Sequence, residues 1–442
     1  MKNKFGLLTA TSIVIANMIG TGVFTSLGFQ VMGLSSGFTL LLLWFIGGLV
    51  ALCGAFAYSD LSHRFPRSGG EYNFLSRIYH PAIGFLAGWI SITVGFAAPV
   101  AAAAIAFGRY FTSAINLTRY FPEFLGHLNM PVLLAILLVL FLTLLHGTSK
   151  QMGAIFQNVM TTLKISFIIL LFILGLVYGK NSGLSFLPNK KAWSEIISPA
   201  FAISMFFVSF AYSGWNAAAY ILSEIKHPEK NITRSLLIGT SFVVLLYLLL
   251  NFIFLYAVPI PEIAGKIEVG YVFTQKILGQ SAGSIFGLII SFLLISSVSS
   301  MIIVGPRVYH VIGEDYPLLR WLARKNNDIP YVAILFQSII SIFFIITSTF
   351  EQVIVFVGFT LNLFTFMAVL GVFIYRFRLA PENKPAHNFG YPYLPVFFLI
   401  VNTWLLVYGF IYKPFESIAG LLITLTGLGV YFLSRKGHIS NE

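Results

Sequence analysis

The chain has 442 residues, 57% of them hydrophobic and 10% charged. Soluble domains carry about 25% charged residues, so an ordinary soluble enzyme or binding module is excluded. The net charge of +12 comes in short basic clusters between apolar runs, a pattern of membrane orientation rather than nucleic-acid binding. The one cysteine, Cys53, lies inside an apolar run. It leaves no partner for an intrachain disulfide and no Cys-based metal or redox site.

A membrane helix needs about 20 apolar residues. Reading along the chain gives twelve such runs: 6–29, 37–63, 82–113, 130–147, 152–178, 195–224, 235–257, 283–312, 330–348, 350–376, 393–412 and 415–434. The first has no small-residue cleavage site leading into a soluble domain, so it reads as a span and not a leader. The third run leaves room for an extra surface turn. The stretch Glu262 to Gln280 reads as a short helical loop on the outer face. Lys and Arg gather in alternate loops, at Lys2, Lys4, Arg64, Arg67, Lys226, Lys230, Arg320, Arg324, Arg376 and Arg435 among others. By the positive-inside rule these loops and both termini are expected in the cytoplasm. All loops are short, so one polytopic domain is expected over 1–442.

Two runs are interrupted. The first reads IANMIGTGVFTSLG with Gly20-Thr21-Gly22 at its middle, and the sixth reads SMFFVSFAYSGWNAAAYILSE with Ser213-Gly214 at its middle. Glycine costs a helix about 1 kcal/mol relative to alanine. Unwound backbone in a membrane survives only where something polar satisfies it. Runs one and six open the two halves of a five-plus-five arrangement, and glycine breaks at matching places point to a transporter binding site. Close helix packing through small residues is the plainer reading of either glycine cluster. An unwound helix offers amides that favour a carboxylate and carbonyls that suit an ammonium, so a pair of breaks has the shape of an α-amino acid site.

Lys164 lies mid-span in QNVMTTLKISFIILLF, with Gln157 and Thr161 on its helix face. A lone lysine at mid-membrane has to face the bundle interior. No acid stands at mid-depth, so its partners are expected among carbonyls near Gly20 and hydroxyls of Ser296, Ser297, Ser299 and Ser300. The ammonium then fills a cation site beside the pocket, or it tethers helices. Phe210 and Trp215 flank the second break, as an aromatic gate or as core. Asn216 and Asn362 are mid-depth polar candidates. RFPRSGGEY (64–72) reads as a loop with a gating or packing role rather than solute contact. The histidines show no metal-ligand spacing, and no metal or cofactor is expected. A Ser–Lys dyad of Ser297 and Lys164 is the best enzymatic reading, with no GxSxG elbow to support it. A channel filter is not visible either.

IGTGVF (19–24), RSGGEY (67–72), FAYSGWN (210–216), SEIKHPEKNI (223–232) and GPR (305–307) together resemble the amino acid–polyamine–organocation superfamily, nearest its L-type amino acid transporter branch and bacterial relatives. The resemblance covers about residues 6–435. It implies an all-α integral membrane protein of LeuT-type fold with twelve helices. Helices 1–5 (6–179) and 6–10 (195–376) form two inverted repeats, and helices 11–12 occupy 393–435. It further implies that a substrate carboxylate meets Gly20, Thr21 and Gly22, and that its amine meets carbonyls of Met18, Phe210 and Ser213. Phe210 becomes the outer gate, Trp215 and Asn216 line or support the pocket, and Lys164 sits at the second sodium position, touching the Gly20 carbonyl and Ser297. Ser213 stands where relatives carry Gly, Asp or Glu. Asn362 is one place away from the tenth-helix Asn of the animal proteins. The loop 114–129 lacks the Cys that those proteins use for a heavy-chain glycoprotein, so no disulfide-linked partner is expected.

The expected function is therefore sodium-independent transport of amino acids across the plasma membrane by alternating access, as an exchanger or with protons. With no pocket carboxylate to meet a basic side chain, neutral amino acids are favoured. A polyamine or organic-amine permease is the alternative within transport. A membrane enzyme or transport-dead sensor is the alternative outside it.

Overall fold

A computed structural model describes residues 4–116, 129–148, 153–326, 329–378 and 390–439. Ten helices in it are long and apolar enough to cross a membrane, and an eleventh span follows if one bent pair counts. No β-strand forms among the described residues, only two isolated bridges.

In chain order the elements begin with α1 (Leu7–Met18) and α2 (Gly22–Gln30), the two halves of the first run. They continue with α3 (Gly37–Arg64), α4 (Glu71–Ile78) and α5 (Pro81–Ile90). A π-helical turn at Ser91–Gly95 leads into α6 (Ala97–Ala114). There follow α7 (Met130–Thr148), α8 (Gly153–Tyr178), α9 (Lys190–Ile196), α10 (Pro199–Tyr212), α11 (Ala217–Tyr220) and α12 (Pro228–Ala257). The last are α13 (Ile260–Ile263), α14 (Val269–Leu278), α15 (Gln280–Asp315), α16 (Tyr331–Thr347), α17 (Phe350–Arg378), α18 (Tyr393–Tyr412) and α19 (Pro414–Ile439).

The sixth run differs from its expected extent. Its helical core is only α10, and α9 meets α10 at a bend of 68°. Pro199 starts α10 there, with Ser198 capping it through Phe201 N–H. The ninth run forms α16, at 17 residues a short apolar helix. The loop expected after α12 contains the short helices α13 and α14, as the sequence suggested.

The bundle is apolar inside and out. α7 exposes Leu133, Leu137, Leu140, Phe141 and Leu144 along one face, a helical stripe whose solvent is lipid. Between helices that are apolar everywhere, small residues decide who packs closely. Ala97, Ala98, Ala101, Ala102, Ala104 and Ala106 of α6 are fully buried, and α15 and α7 lie along this helix. A Cβ at Gly108 would fall 2.1 Å from the Pro131 carbonyl oxygen, so α6 and α7 touch backbone to backbone. α12 packs against both α1 and α3. The segment before α1 pairs with the segment after α11: Phe5 N–H donates to Glu224 O at 2.8 Å, and Lys226 N–H to Phe5 O at 2.8 Å.

Candidate functional site

The first break lies between Met18 and Gly22. Ile19 has ψ 83°, far from the helical value, which swings its carbonyl out of the α1 axis. Gly20 N–H turns back onto Met18 O at 2.8 Å. The carbonyls freed here are taken by side chains. Tyr247 OH donates to Met18 O at 2.5 Å, Lys164 Nζ to Ile19 O at 3.0 Å, and Thr25 Oγ1 to Thr21 O at 2.9 Å. No side chain caps α2, so its leading amides, which lack intrahelical acceptors, carry the positive end of its dipole uncapped.

Lys164 is 1% exposed. Its ammonium joins α8 to the first break and to Ser297 of α15, at 2.9 Å from Ser297 Oγ. The carbonyl it meets is that of Ile19, one residue before the expected Gly20, because ψ at Ile19 sets which oxygen leaves the helix. Among the described residues, Ser297 is the serine of these four that bonds Lys164. Ser296 bonds Leu293 O, Ser300 bonds Ser297 O, and Ser299 pairs with His146. The side chain of Gln157 lies outside the described residues.

The second break follows α10. Ser213 is extended, at φ −53° and ψ 147°, and Gly214 has φ +96°, a conformation that favours glycine. Both Ser213 N–H, at 3.0 Å, and Ser213 Oγ, at 2.7 Å, donate to Phe210 O. The two breaks pack on each other. A Cβ at Gly22 would sit 2.4 Å from Ala211 Cα, and one at Gly214 would sit 2.8 Å from the Asn17 carbonyl carbon and oxygen. Unwinding and close packing are thus both properties of the same glycines.

Beside the breaks lies a cavity of about 130 Å³. Its wall includes Phe210, Ser213, Gly214, Trp215 and Asn216 from the second break, with Ile13 and Asn17 from α1. Ser91 and Gly95 come from the π-helical turn, and Leu361, Asn362 and Thr365 from α17. Trp215 stands edge-on to Tyr58 with ring centroids 4.7 Å apart. Asn362 Nδ2 is buried with no hydrogen-bond partner among the described residues. Met18, Gly20, Thr21, Gly22, Lys164 and Ser297 are not part of this wall. Met18 and Thr21 are 1% and 3% exposed. Of the ten residues expected at the site, four line this cavity and six do not. A second cavity, of about 660 Å³, lies beyond α2 and is lined by Phe29, Arg109, Lys266, Glu268 and Glu351 among others.

Glu71 corrects the expectation that no carboxylate stands at the pocket. It is 7% exposed and forms part of the cavity wall, so a carboxylate does stand at the pocket. Tyr58 OH donates to it at 2.6 Å, Asn216 Nδ2 at 2.7 Å and Tyr220 OH at 2.5 Å. The cause is local. Gly69 and Gly70 have φ +120° and +52°, and a Cβ at Gly70 would lie 2.5 Å from the Tyr220 ring. The chain can therefore turn under α11 and start α4 at the cavity. Paired glycines followed at once by an acid were the available signal. The π-helical turn at Ser91–Gly95 was also missed. π-Turns often occur at functional sites, but nothing in SITVG marks one.

Comparison with known proteins gives one consistent answer. A family described as "Amino acid permease" matches residues 5–433. Large neutral amino acids transporter small subunit 2 of Homo sapiens is 27% identical over 439 residues, spanning 98% of this chain and 80% of that protein. The b(0,+)-type amino acid transporter 1 of Mus musculus is 26% identical over 437 residues, with 98% and 88% covered. The serine/threonine exchanger SteT of Bacillus subtilis (strain 168) is 27% identical over 449 residues, with 100% and 98% covered.

Proposed function

The chain belongs to the amino acid permease family, and on that premise we propose that it carries neutral α-amino acids across the plasma membrane by alternating access, without sodium. It is a multi-pass membrane transporter and not an enzyme. The proposed architecture has twelve spans, with 6–179 and 195–376 as inverted repeats and 393–435 as two added helices. Its support is the ten membrane-length helices, the bent pair α9–α10 and the short α16, together with breaks at matching places in both halves. Cytoplasmic termini rest on the distribution of Lys and Arg.

The observation that carries the reading is the pair of breaks packed face to face beside a cavity, with an ammonium fixed behind them. In the proposed complex the substrate carboxylate lies on the uncapped start of α2, at Gly20, Thr21 and Gly22. The substrate ammonium lies among the carbonyls of Met18, Phe210 and Ser213, with Asn216 beside it, and the substrate side chain lies between Phe210 and Trp215. A carbonyl offers two lone pairs. Those of Phe210 already hold two bonds from Ser213, and those of Met18 hold Gly20 N–H and Tyr247 OH. An arriving ammonium competes with these donors, so binding is tied to rearrangement at both breaks. Lys164 Nζ, bridging Ile19 O and Ser297 Oγ, supplies the positive charge that a sodium ion would otherwise bring there. The preference for neutral side chains rests on the apolar wall at Ile13, Val50, Val304, Val357, Leu361 and Phe398, with Glu71 already engaged by its three donors.

Exchange against internal amino acid is the proposed mode, and proton symport is the other. The bacterial relative is named an exchanger. We propose no disulfide-linked partner, since Cys53 is buried and the 114–129 loop has no cysteine; residues 117–128 of that loop lie outside the described residues. The contact of Lys164 with Ser297 gives the Ser–Lys hydrolase its one geometric point, but neither residue lines the cavity. Counterflow in proteoliposomes, with neutral, basic and acidic amino acids and diamines as competitors, tests this reading. Neutral amino acids are expected to compete. Transport of diamines without amino acids would replace it with an organic-amine permease, and no turnover at all would point to a sensor or enzyme.

A further inference from the structure

Asn216 has one donor end and one acceptor end, and its surroundings decide which end is free. Its Nδ2 lies 2.7 Å from Glu71 Oε1 and 3.3 Å from Tyr220 OH. A carboxylate only accepts hydrogen bonds, so the NH₂ end must face Glu71. Tyr220 spends its own proton on Glu71 Oε2 at 2.5 Å, which leaves its oxygen able to accept from Nδ2. Tyr58 OH donates to Glu71 Oε1 at 2.6 Å. Tyr58, Tyr220 and Asn216 each donate to Glu71, and the second proton of Nδ2 goes to Tyr220 OH. No hydrogen bond to Oδ1 forms among the described residues, so this carbonyl is the polar atom of Asn216 left for a ligand.

Glu71 is well placed to impose this. It is the first residue of α4, where a negative charge is favoured by the helix dipole. Phe74 of the same helix packs edge-on against Tyr58, with ring centroids 5.6 Å apart. The carboxylate thus sits on a helix braced against α3 rather than on a loose loop, and Asn216 and Tyr220 both line the cavity.

We propose that Glu71 is a positioning residue: it locks the Asn216 carboxamide so that an acceptor, Oδ1, serves the ligand. The cavity then prefers a ligand group rich in donors, the ammonium of an α-amino acid, over the hydroxyl of the matching 2-hydroxy acid. This rests on the reading of the cavity as an amino-acid site. Glu71→Gln keeps the shape but brings its own NH₂ group, so the amide of Asn216 is free to turn and offer a donor instead.

The test is counterflow by the full-length protein in proteoliposomes, with KM, maximal rate and competition by an amino acid and its 2-hydroxy analogue. Glu71→Gln is expected to raise KM about tenfold, the value of one charge-assisted hydrogen bond, with the maximal rate changed far less. The preference for amino acid over hydroxy acid should shrink by a similar factor. The double variant Glu71→Gln with Asn216→Asp reverses the bond, the new amide donating to the new carboxylate, yet keeps an acceptor oxygen at 216 for the ligand, and should recover the preference. If Glu71→Gln leaves KM and preference intact, the proposal is wrong. It is equally wrong if preference stays fixed while KM and rate fall together, or if the double variant fails to recover the preference. Should Glu71→Gln fold poorly, Glu71→Asp, which keeps an acceptor, must retain the preference at a lower rate. Failure of the underlying reading looks different: wild-type protein that moves no amino acid, or Asn216→Ala that leaves KM unchanged.

Discussion

The two breaks do the same thing to the helix and are held in opposite ways. The first, at residues 18–21, has the carbonyls of Met18, Ile19 and Thr21 claimed by Tyr247 of α12, Lys164 of α8 and Thr25 of α2, and none of residues 18–22 lines the cavity. The second, at Ser213–Asn216, is satisfied by its own turn through Ser213 and by Glu71, and it forms the wall. The first break is therefore anchored chiefly by α8 and α12, while the second is anchored by its own turn and by Glu71 of α4 and stands open to a ligand. Changes at the first should damage fold and transport together. Changes at the second should move affinity and selectivity with the fold kept.

The largest effect is expected where both breaks meet. Gly22→Val puts its Cβ against Ala211 Cα at 2.4 Å, backbone that cannot yield, and should abolish uptake and lower the melting temperature of the purified protein. Survival of uptake would separate the two breaks and undo the comparison. Lys164→Ala comes next. It removes a buried charge together with the partner of Ile19 O and Ser297 Oγ, and uptake should fall at least about tenfold, since unpaired buried polar groups cost about 1–3 kcal/mol each. Tyr247→Phe removes one hydrogen bond to Met18 O, about 1 kcal/mol. It should lower the melting temperature by a few degrees at most and reduce uptake by less than tenfold. Ser213→Ala is the mildest. It frees one lone pair of Phe210 O at the second break, so KM should change about two- to threefold with melting unchanged. A melting shift as large as that of Tyr247→Phe would mean the second break is anchored like the first.

Much of this was legible in the sequence, for physical reasons that also mark the limit. Gly20-Thr21-Gly22 in the middle of an apolar run contradicts helix propensity, and Lys164 contradicts its surroundings, so each stands out without coordinates. Which oxygen Lys164 meets depends on ψ of Ile19, and no side-chain pattern encodes that. The bend of α9 against α10 was invisible because hydropathy measures apolarity and not direction. Glu71 was not expected at the pocket because its place depends on two positive φ angles at Gly69 and Gly70, which carry a loop residue to the cavity. Met18, Gly20, Thr21 and Gly22, which do not line the cavity, look in sequence like the four residues that do, since both sets lie at glycine breaks.

Lys164 at the first break is the centre of the account, and sodium is its direct test. Radiolabelled neutral amino acid uptake should be measured in proteoliposomes with sodium or with choline outside, and with or without amino acid inside. Equal uptake in both salts, stimulated by internal amino acid, is the expected result. Uptake that requires sodium would contradict the role given to Lys164.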